Sequence, residues 1–130
     1  MSDTQEVDFA GDIALDIVRV ATATARDYSS RDVVALHLTP VTDIADYFVI
    51  ASGANRRQVL ALVEHIEQDV FTELGVRPHH VEGMDFATWV LLDYDGVVVH
   101  VFLDETRDYY DLAHLWNAAP QVRVGVPAAV

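Results

Sequence analysis

The 130-residue chain contains no cysteine and no lysine. Without cysteine there is no disulfide, no thiolate zinc site and no cysteine nucleophile. All eight basic residues are arginine, set against 21 acids, for a net charge of −13. Such a chain is repelled by phosphate backbones, because nucleic-acid affinity comes largely from neutralising phosphates. Direct nucleic-acid binding is therefore not expected, whereas a basic protein partner suits the charge. No apolar run approaches the roughly 18 residues that a spanning helix needs, and no basic-apolar signal segment opens the sequence. These absences point to a cytoplasmic protein. The length suits a single domain, and folding at this size buries roughly two-thirds of the unfolded surface.

The most informative stretch is 88–105. Asp95-Gly96 lies between two β-rich runs and predicts a hairpin with a type I′ turn. That register pairs Tyr94 with Val97, Leu92 with Val99 and Val90 with Val101 on an apolar face suited to packing under helices. The other face pairs Asp93 with Val98, Leu91 with His100 and Trp89 with Phe102. Two aromatics, an acid and a histidine on one face suggest a surface for gripping a macromolecule. The expected contact residues are Trp89, Leu91, Asp93, Tyr94, His100, Phe102 and Glu105. His100 is either a core histidine bonded to Asp93 or a contact residue whose imidazole also fixes the face, and the second reading is preferred. Trp116 continues a helix stripe and is assigned to the core.

Elsewhere the pattern predicts a frayed start (1–8) and a helix to about Tyr28, with Phe9, Ile13, Ile17, Val20 or Ala21, and Tyr28 at helical spacing. Strands follow over 33–38 and 47–51. A long helix is capped by Asn55, with Gln58 three residues on, and is ended by Gly75. A short edge strand falls within 76–82, weakened by Pro78. After the hairpin comes a last helix over about 106–116, with Tyr109, Leu112 and Leu115 or Trp116 inward. Residues 117–130 have no period and are read as a flexible tail, leaving a domain over 1–116. The fold class is α/β: a mixed sheet of about five strands with helices packed on it.

Catalytic readings find little support. Six histidines show no metal-ligand spacing, so no metal or cofactor is expected. Ser52-Gly53 reverses the order of a nucleotidyltransferase turn, and no pair of acids follows at the required distance. Asp93 and Asp95 have the right mutual spacing but lie about 40 residues on, and Asp95 is assigned to the turn. Arg56-Arg57, in the first turn of a helix, are read as solvent-exposed or as partners of Asp43 or Asp46.

Several motifs in order carry a family resemblance. They are Asp46-Tyr47-Phe48-Val49-Ile50-Ala51-Ser52-Gly53, Arg57-Gln58-Val59, Val81-Glu82-Gly83 before Trp89, Asp93-Tyr94, the run Val97-Val98-Val99-His100-Val101-Phe102, Glu105, Arg107, Tyr109-Tyr110 and Leu115-Trp116. Together they resemble the ribosomal silencing factor, or Iojap-like, family from about Phe9 to Trp116. At Tyr94-Asp95-Gly96 the chain departs from that pattern, in which the glycine precedes the acid. The resemblance implies a nucleotidyltransferase-like topology without the catalytic motif. It also implies a non-enzymatic factor that docks on a basic protein at the intersubunit face of the large ribosomal subunit. Docked there, it would block joining of the small subunit and lower translation when nutrients are scarce. A homodimer is a further implication. A nucleotidyltransferase-like enzyme and a scaffold module with a non-ribosomal partner stay open as alternatives.

Overall fold

The computed structural model describes residues 12–122. The expected frayed start and the Phe9 position lie outside that range. Helix α1 (Ile13–Tyr28) is capped by Asp12, whose carboxylate accepts from the Leu15 N–H. Strands β1 (Val34–His37) and β2 (Tyr47–Gly53) come next, then α2 (Arg56–Leu74). After it come β3 (His80–Glu82), β4 (Trp89–Asp93), β5 (Val97–Leu103), α3 (Asp104–Tyr110) and α4 (Leu112–Leu115). The five strands form one sheet in the order β1-β2-β5-β4-β3. Only the central β2–β5 pair is parallel, with α2 as its crossover. The expected mixed sheet of about five strands is what the chain forms.

The caps of α2 follow their sequence signals. Asn55 Oδ1 accepts from the Gln58 N–H at 2.8 Å, and Gln58 Oε1 accepts from the Ala54 N–H at 2.7 Å. Gly75 ends the helix in the left-handed region, at φ +71°. Ile17, Val18, Ala21 and Ala25 of α1 meet Leu62, Val63, Ile66 and Val70 of α2, and both helices cover Val49, Val90, Leu92, Val99 and Val101. β2 is buried on both faces, which is why it reads as a near-continuous apolar run.

The hairpin register matches the expected pairs from Trp89 with Phe102 to Asp93 with Val98. The turn type does not. Positive φ occurs at Asp95 (+80°) and not at Gly96, the type II′ pattern rather than I′. At Gly96 a Cβ would lie 2.8 Å from Asp46 Oδ2, the mobile end of a side chain that can give way.

Two expectations at the C-terminal end are corrected. The helix expected over 106–116 is broken at Asp111, whose φ of +48° resets the phase of the following turn. Leu112 is buried and Trp116 packs on the second core, but Tyr109 and Leu115 point outward, 81% and 69% exposed. The segment expected to be a tail from Asn117 is anchored as far as Val122. The His37 N–H donates to Pro120 O, the Val122 N–H donates to Ala35 O, and Ala119 is buried. This segment lies along the free edge of β1 and bridges Leu36 with Gln121. Having borrowed its hydrogen bonds from β1, it needs no period of its own.

Gly83, at φ +92°, is the tightest backbone position: a Cβ there would sit 2.0 Å from Trp89 O. Gly83→Ala is expected to cost roughly 2–4 kcal/mol, combining strain with a clash against backbone. Gly75→Ala, also at positive φ but with nothing within 4 Å, is expected to cost about 1 kcal/mol. Urea unfolding of both variants checks the order; equal losses would contradict the packing described at Gly83.

Candidate functional site

The second face of the sheet is half roofed and half open. Over β1, β2 and β5 it is covered by Leu112, Ala113, Trp116 and Ala119, which close on Leu36, Phe48, Ile50 and Phe102. Over β4 and β3 the cover stops. Leu91 and Asp93 are half-buried, and all of β3 is exposed.

The seven expected contact residues separate accordingly. Glu105 is exposed on α3, and Trp89, Leu91 and Asp93 are half-buried at the edge of the roof. Tyr94, His100 and Phe102 are buried, at 3%, 4% and 0% exposure, and leave the contact set. Tyr94 belongs to the core under α1 and α2, where burial pushes its hydroxyl above the usual tyrosine range, with Glu67 adding to the effect. His100 and Phe102 lie beneath the roof, which could not be seen from the strands alone.

His100 acts from below. The Trp89 Nε1–H donates to its Nδ1 at 3.1 Å, so the imidazole is held neutral with its proton on Nε2. Burial pushes its pKa down to about 4. Phe48 meets the same ring edge-on at 4.5 Å. Asp93 is not its partner: that carboxylate accepts from the Asp95 N–H at 2.9 Å and braces the turn. Trp89 is thereby fixed on one side by His100 and Phe102. On the other it meets Tyr110, at 4.7 Å between ring centroids.

The helix that carries Tyr110 is tied to the sheet by charge. Arg107 Nη1 donates to Ser52 Oγ at 2.9 Å, and Ser52 is fully buried at the end of β2. Arg31 pairs with Asp108 at 2.6 Å and with Asp104 at 3.5 Å, and Ser30 Oγ donates to Asp104 at 2.6 Å. Partial burial lowers the Arg107 pKa, and neighbouring acids oppose that shift. These bonds set how α3 presents Glu105, Tyr109 and Tyr110.

Four exposed large apolar residues were missed, Tyr109, Tyr110, Leu115 and Phe86, and of these Tyr109 and Tyr110 line the surface beside Trp89. A signal existed for the tyrosines. Neighbours on a short helix lie about 100° apart, so Tyr109 and Tyr110 cannot both point into a core. Phe86 is 75% exposed on a loop held by Arg56, whose Nε–H donates to Phe86 O at 2.7 Å. Arg56 therefore spends this bond on a carbonyl and not on Asp43 or Asp46.

The end of β2, where a nucleotidyltransferase would hold phosphates, is closed. A Cβ on Gly53 would lie 2.8 Å from Val59 N, so the first turn of α2 sits directly on it. The amides of Ala54, Gln58 and Val59 are already bonded within the chain, and Ser52 Oγ receives Arg107. Among the described residues no group of three His, Asp or Glu could hold a metal ion, and no helix is long and apolar enough to cross a membrane.

The buried imidazole predicts a pH dependence. Unfolded, His100 protonates near 6.5; folded, it resists protonation down to about 4. Between those values the unfolded state binds more protons, so stability falls as pH drops through this window. The loss by pH 4.5 is roughly 2 kcal/mol or more. His100→Leu loses the Trp89 bond at every pH but should show a flatter profile between pH 7 and 4.5 in urea unfolding. Parallel profiles for the variant and the parent would place the titration elsewhere.

Comparisons with known proteins bear on the family and the fold. A family model described as "Ribosomal silencing factor during starvation" matches residues 12–129. A relative from Bacillus subtilis, named "Ribosomal silencing factor RsfS", is 40% identical over 104 residues, covering 80% of this chain and 87% of its own. A mouse protein, named "Mitochondrial assembly of ribosomal large subunit protein 1", is 34% identical over 95 residues, covering 71% of this chain and 41% of its own. A crystal structure from Chromobacterium violaceum superposes with a TM-score of 0.73 at 33% identity, covering 88% of this chain and 94% of the other. The chain belongs to the ribosomal silencing factor family.

Proposed function

We propose that this protein docks through the open half of its second sheet face on a basic protein of the large ribosomal subunit. Bound at the intersubunit face, it blocks joining of the small subunit and so represses translation, above all when nutrients are limiting. The mechanism is steric and needs no turnover, no cofactor and no metal. The observation that carries the reading is the surface shared by β4 and α3. Trp89, Leu91, Tyr109 and Tyr110 offer apolar and aromatic area on the same side as Asp93 and Glu105, on a chain of net charge −13. Aromatic anchors with acidic neighbours fit a basic protein surface and repel bare phosphate. The name of the mouse relative supports a large-subunit setting.

The site of action in this reading is the cytoplasm, and binding to nucleic acid is not part of it. A homodimer is compatible with it, the same face then serving one partner at a time. The closed end of β2 speaks against the nucleotidyltransferase alternative, and a scaffold with a non-ribosomal partner remains an outcome of the test.

The test is subunit joining, followed by light scattering with purified subunits. The protein should lower joining, and Tyr110→Ala should weaken binding to the large subunit by about 2 kcal/mol, the scale of a central aromatic anchor. Glu105→Lys should slow association, most strongly at low salt, with little change in melting temperature. Normal joining at saturating protein would exclude the mechanism. An unchanged association rate for Glu105→Lys across a salt series would exclude electrostatic docking through this helix.

A further inference from the structure

A groove of about 480 Å³ opens between the start of β4 and α3, lined by Thr88, Trp89, Glu105, Thr106, Tyr109 and Tyr110. Three of its six lining residues are aromatic, and their rings are arranged as walls. Tyr110 meets Trp89 at 4.7 Å between centroids with planes 50° apart, and it meets Tyr109 at 5.0 Å with planes at 89°. The corner is rigid from beneath, because Trp89 is pinned by its bond to His100 and by Phe102 at 4.8 Å. Glu105 stands exposed in the lining, and its carboxylate has no hydrogen-bond or ion-pair partner among the described residues. The nearby cation, Arg107, is turned away onto Ser52.

Ring faces are negative at the centre, so a corner of rings attracts a cation, and an unpaired carboxylate attracts it further. We infer that this groove is a cage for one arginine side chain of the partner, its guanidinium stacked on the Tyr109–Tyr110–Trp89 corner and bonded to Glu105. Arginine is favoured over lysine on chemical grounds. Its planar, weakly hydrated fork stacks on aromatic rings and can meet a carboxylate with two parallel bonds, whereas an ammonium is a compact, strongly hydrated point charge. This inference rests on the proposed docking reading, and it narrows the partner's contact to an exposed arginine.

The cage can be tested without a ribosome. The probe is a short glycine-flanked arginine peptide, with citrulline, lysine and leucine counterparts, titrated into ¹⁵N-labelled full-length protein. The Trp89 indole N–H reports on the groove. The Trp116 indole, packed against Phe48 in the roofed core, is the internal control. The arginine peptide should shift the Trp89 signal and spare Trp116, with citrulline and leucine inert and lysine weaker. Tyr109 is largely exposed, so Tyr109→Leu should fold normally and weaken the arginine response about 2- to 5-fold, while Tyr109→Phe should retain it. Glu105→Gln should weaken it by a similar factor.

Equal responses to arginine and citrulline would overturn the cation reading, and an equal or stronger lysine response would overturn the choice of guanidinium. The same variants are then sedimented with large subunits. A caged arginine without co-sedimentation would keep the cage and remove the ribosomal reading. Co-sedimentation unchanged in Tyr109→Leu, with no peptide response, would remove the cage alone.

Discussion

The constraint on which the rest depends is the parallel pairing of β2 with β5 at the centre of the sheet. Both strands are largely apolar and buried on both faces, so the sheet must be covered twice. Helices α1 and α2 supply 35 residues for the first cover, 16 and 19 in turn. For the second cover the described residues supply 11 helical residues, seven in α3 and four in α4, with the anchored segment that follows. That is enough to roof β1, β2 and β5 and leaves β4 and β3 open. The open surface is the remainder of an incomplete second layer, and the residues at its boundary serve both the core and the outside.

Trp89 shows what that boundary requires. Its ring is half-buried, its N–H is taken by a buried neutral histidine, and its outer side meets Tyr110. A side chain that must present a fixed face to solvent needs support from below, and His100 and Phe102 provide it. The acid that looked like the natural partner of His100 is instead spent on the hairpin turn. Polar residues on this face are thus divided between holding the fold and meeting what lies outside, and burial decides which does which.

The parts of the fold that were legible in the sequence are those set by local rules. The Asp95-Gly96 signal fixed the hairpin pairing, Asn55, Gln58 and Gly75 bounded α2, and Pro78 marked an edge. Turn type was misread, and a local signal carries nothing of the non-local bonds made there: the Asp46 and Tyr47 N–H groups both donate to Gly96 O. The roof was misread for the same kind of reason. A 3.6-residue period cannot reveal that Asp111 takes a left-handed conformation, and residues 117–122 follow β1 rather than a period. Once the phase changes at Asp111, Leu115 turns outward and Leu112 and Trp116 close over Phe48 and Phe102, beside which His100 lies buried. Four of the expected contact residues keep access to the open face, and the tyrosines beside them were legible only in part, since adjacent helical positions cannot both face the core.

The central claim is that the open half of the second face, and not the helix-covered face, meets the partner. Site-specific photo-crosslinking tests it most directly. A photoreactive amino acid is placed in turn at Tyr109, at Glu105 and, on the opposite side, at the exposed Phe71 of α2, and each protein is irradiated with purified large ribosomal subunits. The account predicts crosslinks from positions 109 and 105 to one basic ribosomal protein, and none from position 71. Crosslinks from position 71 with none from the other two would contradict it.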